Sequence, residues 1–131
     1  MRWYLNNESH RNADAILSRL LSEPELFGVP ELFLFEVYAV LARSHPDAQN
    51  VYVNLFLPVV EGGLFRHPMT SALVEQAWSF VALGLTGYDA CYAALADEMG
   101  CTWLTFDAKA HKLLKSRISM DLNRGLPSDW N

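Results

Sequence analysis

The chain is 131 residues long, 51% hydrophobic and carries a net charge of −5, which suits one domain with one sizeable core and excludes a disordered chain. So acidic a chain is not built to grip nucleic acid through phosphates alone, although bound cations would leave a metal-dependent nuclease open and a basic partner would also suit the surface. Glu36, Glu61 and Glu75 interrupt the apolar runs before a membrane span is reached, MRWYLNNESHRN has no signal-peptide core, and Cys91 and Cys101 read as small buried hydrophobes of a reducing compartment. The expectation is a cytoplasmic protein with no membrane partner.

Trp3, Tyr4 and Leu5 read as the end of an element. Ser9 can cap a helix to about Ser22, with Ala13, Ile16, Leu17, Leu20 and Leu21 at helical spacing and Pro24 as the stop. Leu26 to Val29 is a short strand candidate. Pro30 then stands at the first helical position of Glu31 to Arg43. Nearly every residue from Leu32 to Ala42 is apolar, which predicts burial on most sides. Glu36 interrupts that run, and a buried carboxylate is costly unless it is paired, with Arg43 or Arg66 for example, or metal-bound. Asp47 can cap a helix over Ala48 to Leu57, broken by Pro58 and Gly62-Gly63. Leu64 to His67 is a second strand candidate. Thr70 or Ser71 caps a helix with Leu73, Val74, Ala77, Trp78 and Val81 along one stripe, ended by Gly84.

The central stretch is Thr86 to Asp107. A Thr86-Gly87 turn opens an apolar helix that Gly100 ends in a left-handed conformation. A β-prone piece, Thr102 to Thr105, delivers Asp107 just past its end. A basic helix, AKAHKLLKSR, follows, then a weak strand candidate over Ile118 to Leu122 and a turn-rich, loosely held tail. Short strands alternating with longer helices predict an α/β fold around a mostly parallel sheet.

One acid at a helix N-terminus and another at a strand C-terminus occupy places where an open α/β sheet presents chemistry. Glu36, Asp89 and Asp107 together would repel unless Mg²⁺ or Mn²⁺ sat between them, and such a site can activate water for phosphodiester cleavage. Asp89 and Asp107 each have a plainer reading as helix caps, and the two readings stay open here. Lys109, Lys112, Lys115 and Arg117 form a basic strip after Asp107, either a solvated helix face or a guide for a phosphate backbone. The four histidines share no metal-ligand spacing. The serine nucleophile elbow, the dinucleotide-binding glycine motif and the P-loop are all absent.

VPELFLFEVYAVLAR, TGYDACYAALADEMG and TWLTFD, in that order, resemble a PIN domain of the VapC toxin type. The resemblance implies a three-layer α/β/α sandwich over residues 1–131 and a Mg²⁺- or Mn²⁺-dependent endoribonuclease with RNA as substrate. It also implies a VapB-like antitoxin as partner and a homodimer. It places the metal-binding and catalytic acids at Glu36, Asp89 and Asp107, with Thr105 positioning water or substrate and Lys109 and Lys112 contacting phosphate. The family begins with a strand carrying a further metal-binding aspartate. This sequence is expected to lack that strand and its turn, roughly ten residues, through a start set too far downstream, degeneration, or a strand supplied by a partner or dimer mate. Activity would then be reduced or lost. The alternative is a non-catalytic PIN-fold module that engages an antitoxin or a second protomer, using Phe33, Leu34 and the aromatic N-terminus.

Overall fold

A computed structural model describes residues 11–115 and 117–127. The expected aromatic start, the Ser9 cap and the last four residues of the tail lie outside them. The chain divides between His67 and Pro68 into two compact units, and each holds one pair of parallel strands. The fold is α/β, with parallel strand pairing as the alternation predicts.

The first unit opens with helix α1, Arg11–Ser22, whose Ala13, Ile16 and Leu20 are buried at helical spacing. A 3₁₀ turn over Pro24–Leu26 leads into strand β1, Gly28–Pro30. Pro30 is thus the last strand residue rather than the first helical one, and helix α2 runs from Leu32 to Ser44. Strand β2, Phe65–His67, lies parallel to β1, with Gly28 opposite Phe65 and Pro30 opposite His67. The Glu31 amide donates to the His67 carbonyl at 2.9 Å and ties the start of α2 to the strand pair. Two guanidinium nitrogens of Arg66 donate to the two oxygens of Glu31, at 2.7 and 3.1 Å. That fork holds the Glu31 carboxyl below its ordinary range, first through the hydrogen bonds, with burial opposing and the Arg66 charge adding.

Two further features of this unit differ from expectation. Helix α2 buries one face, with Phe33, Leu34, Val37 and Leu41, while Phe35 is 69% exposed and Tyr38 60% exposed. An almost wholly apolar run carries no polar stripe to mark which side faces out. Second, Pro58 does not break the helix that follows. Helix α3, Ala48–Val51, continues through a π-helical turn, Tyr52–Phe56, into helix α4, Leu57–Glu61. A proline inside an α-helix meets the carbonyl four residues back and offers no N–H. The Leu57 amide instead bonds to Tyr52, five residues back. The widened turn lets Pro58 enter at the start of α4, where its missing donor costs little. The same turn carries Phe56, almost fully buried, against Phe33 of α2 with ring centroids 6.0 Å apart.

In the second unit the Thr70 hydroxyl accepts from the Leu73 amide at 3.1 Å and caps helix α5, Ser71–Val81. Its buried residues are Leu73, Ala77 and Phe80, and Trp78 is 66% exposed. The stripe lies one position round from the expected one, with Phe80 inside in place of Trp78. Helix α6, Gly87–Met99, packs along α5 and buries Ala90, Cys91, Ala93, Ala94, Leu95 and Ala96. These mostly small side chains let a helix be enclosed on most sides. Gly100, at φ +64°, ends it. The Gly100 amide bonds to the Asp97 carbonyl and the Cys101 amide to the Ala96 carbonyl, the paired closure that a left-handed residue permits. Both cysteines are free thiols, Cys91 buried and Cys101 exposed rather than buried as expected. Strand β3, Trp103–Thr105, then helix α7, Ala108–Leu113, then strand β4, Ser119–Asp121, complete a parallel pair with a helical crossover. No helix among the described residues is long and apolar enough to cross a membrane.

Candidate functional site

The carboxyl end of the β3–β4 pair is the best-defined part of the candidate site. Thr105 and Asp121 stand opposite each other as the last residues of the two strands, and both side chains are buried. Past Thr105 the chain turns through Phe106 to Asp107. The Asp107 amide donates to the Thr105 hydroxyl at 3.0 Å. Asp107 is exposed, and its Oδ1 accepts from the Ala110 amide at 2.9 Å, so it is the N-cap of α7. Its Oδ2 takes no hydrogen bond among the described residues. The capping reading of Asp107 is therefore true and accounts for one oxygen of the two.

Asp89 is different. The side-chain cap of α6 is Thr86, whose hydroxyl accepts from the Asp89 amide at 3.2 Å. Asp89 sits half-buried in the first turn, where the helix dipole favours a negative charge. The cap that its sequence position suggested is made by the threonine three residues earlier.

Glu36 lies in the first unit on α2, half-buried. Its expected partner Arg66 is engaged by Glu31 instead, and Arg43 is exposed. Lys109 and Lys112 are exposed on α7 and make no ion pair among the described residues. His111 has its Nδ1 2.7 Å from the Ser119 hydroxyl and joins α7 to β4.

The sequence reading did not single out Asp121 or Asn123. Asp121 is 5% exposed at the end of β4. Its Oδ1 accepts from both the backbone amide and the side-chain Nδ2 of Asn123, each at 3.0 Å. The same Nδ2 donates to the Phe106 carbonyl at 2.7 Å. An acid closing a strand is the signal that picked out Asp107, and it was present at Asp121 too.

A depression over α3, lined by Asp47, Asn50 and Asn54 among others, contains none of the expected acids. Its side chains are bonded along the helix surface, Asn50 to Asp47 at 2.9 Å and Asn54 to Asn50, and we attach no chemistry to it.

The PIN-domain family model matches residues 1–115. The chain belongs to the PIN-domain family. The match spans most of the sequence and both units, and it places the chain in a family of nuclease fold whose members are typically metal-dependent. No curated protein and no solved structure matches it.

PIN nucleases usually use divalent metal ions and typically bind RNA. The donors here are carboxylate, hydroxyl and amide oxygens, the chemistry that a hard cation takes. Among the described residues, no three His, Cys, Asp or Glu side chains are grouped as ready ligands. Mg²⁺ commonly keeps several waters and takes one or two carboxylates from the protein, so the uncommitted oxygen of Asp107 fits a cation of this class.

Proposed function

We propose that the chain acts as a single PIN domain of the VapC type, an endoribonuclease that uses Mg²⁺ or Mn²⁺ to hydrolyse RNA phosphodiesters in the cytoplasm. Glu36, Asp89 and Asp107 would hold the cation. When bound, it would supply a water of lowered pKa and offset charge developing at phosphorus. Thr105 holds the Asp107 amide and so fixes where that carboxylate stands. Lys109 and Lys112, in the first and second turns after the cap, offer their ammonium groups to a phosphate backbone. A VapB-like antitoxin and a second protomer are the partners of this reading.

The observation that carries it is Asp107, which leaves the carboxyl end of a parallel strand with one oxygen committed to a cap and the other uncommitted. A second reading, a non-catalytic binding module, cannot use Phe33 and Leu34 as expected, since both are buried, and draws support instead from the exposed Phe35 and Tyr38 on α2. Large exposed aromatics at helical spacing suit a protein contact.

Mn²⁺-dependent cleavage of a mixed RNA pool, with Asp89→Asn as the control, separates the two. Cleavage by the unaltered chain, lost in the variant, supports the nuclease. A folded chain that neither cleaves nor binds Mn²⁺ supports the module.

A further inference from the structure

We infer that Asn123, oriented by the buried carboxylate of Asp121, is a positioning residue for Asp107. The inference rests on reading Asp107 as a cation ligand and adds a support that the reading does not contain.

Asn123 follows β4 and is exposed, yet its side chain makes two bonds that nothing on the surface requires. One Nδ2 hydrogen goes to the Phe106 carbonyl at 2.7 Å and the other to Asp121 Oδ1 at 3.0 Å. Both partners are acceptors, so the amide is held with its nitrogen inward. The Asn123 backbone amide reaches the same Oδ1 at 3.0 Å. Asp121 thus fixes Asn123 through two bonds to one oxygen. Among the described residues its Oδ2 meets only the Arg124 guanidinium, at 3.9 Å, on a side chain that is 86% exposed. A buried carboxylate compensated this thinly is costly as a mere space-filler.

Phe106 is the single residue between Thr105 and Asp107. The Thr105 hydroxyl holds the turn from the Asp107 amide, and Asn123 holds it from the Phe106 carbonyl. The Leu122 amide adds a bond to the Thr105 carbonyl at 2.8 Å. The turn presenting Asp107 is therefore clamped from both sides, and Asn123, just past β4, is a side-chain tie exposed enough to remove without opening the core. Outer supports of this kind commonly set the affinity of the ligand they orient.

The test uses the full chain and two readouts, backbone amide hydrogen exchange without metal and Mn²⁺ affinity by titration. Asn123→Ala is expected to speed exchange at Asp107 and Ala110 about tenfold, leave Ala94 in α6 unchanged, and weaken Mn²⁺ binding about tenfold. Asp121→Ala should match it. Asp121→Asn keeps an acceptor oxygen in place, so both readouts should stay within about threefold of the unaltered chain. Unchanged exchange at Asp107 and Ala110 in Asn123→Ala would overturn the clamp. Unchanged Mn²⁺ affinity despite faster exchange would overturn its role toward the cation. Should Asp121→Asn weaken Mn²⁺ as much as Asp121→Ala with exchange intact, Asp121 acts through its charge and the positioning role fails. An unaltered chain that binds no Mn²⁺, or a tight Asp107→Asn variant, would sink the cation reading and this role with it, while the exchange contrast is still read on its own.

Discussion

Two acids of the second unit stand at helix starts, and the chain treats them differently. At α6 the cap is Thr86, and Asp89 sits three residues inside with its amide on the threonine hydroxyl. At α7 Asp107 is itself the cap, and a threonine two residues before it, Thr105, takes its amide. In both places a threonine hydroxyl accepts from the acid's backbone N–H; at α6 the threonine is also the helix cap, and at α7 the acid caps the helix with a carboxylate oxygen. An acid at a helix start can thus be the cap itself, as Asp107 is, or stand inside a helix that a neighbour caps, as Asp89 does.

The comparison breaks most visibly in Asp→Asn variants. Asparagine caps a helix about as well as aspartate, so Asp107→Asn keeps the α7 cap and removes only the charge. Asp89→Asn likewise leaves the Thr86 cap in place. If both are cation ligands, each variant should lose about 100-fold or more of Mn²⁺-dependent cleavage. Their melting temperatures should stay within a few degrees of the unaltered chain. Paired cleavage assays and thermal melts check this. Retained cleavage in either variant would remove that acid from the site.

Alanine variants invert the pattern. Asp107→Ala removes the cap together with the proposed ligand, and about 1 kcal/mol of stability should go with the cap. Thr86→Ala should cost a similar ~1 kcal/mol while leaving the Asp89 carboxylate in the chain. Denaturant unfolding measures both. A Thr86→Ala variant as stable as the unaltered chain would mean that Asp89 or water satisfies the α6 start, and the contrast between the two acids would shrink.

Much of this edge was legible in the sequence. The left-handed Gly100, the strand before Asp107 and the helix after it follow from local rules, because each rests on one residue's backbone freedom or on a short period of apolar side chains. What stayed hidden depends on partners distant in the chain. Asn123 can reach Phe106 only because Thr105 lies opposite Asp121, a register that a three-residue strand does not announce. Arg66 could be expected to pair with Glu36, but strand register sets it beside Glu31, 35 residues away. The outward face of α2 was hidden for the opposite reason, since an all-apolar run offers too little contrast. Pro58 read as a breaker because the bond that accommodates it, from Leu57 to Tyr52, skips one residue more than an α-helix does and leaves no mark on composition. Trp78 falls at the helical spacing of the stripe, but Phe80, two residues on, is the buried aromatic.

Glu31 gives the smallest effect and the cleanest counterpoint, an acid wholly committed to a structural partner. Its fork to Arg66 lowers its pKa in the folded protein below the unfolded value. The pair's contribution is therefore fully present above the unfolded carboxylate range, and it is lost as pH falls through the folded value. Side-chain exposures of 44% for Arg66 and 35% for Glu31 leave the pair open to water and salt, so the effect is modest. Glu31→Gln should lower the melting temperature slightly at neutral pH, and the gap from the unaltered chain should close below about pH 4. Added salt should narrow it too. A gap that persists in acid would assign Glu31 a role outside the ion pair. Cleavage by Glu31→Gln should match the unaltered chain at neutral pH, because this carboxylate already has both oxygens occupied by Arg66, whereas Asp107 has only one taken by its helix.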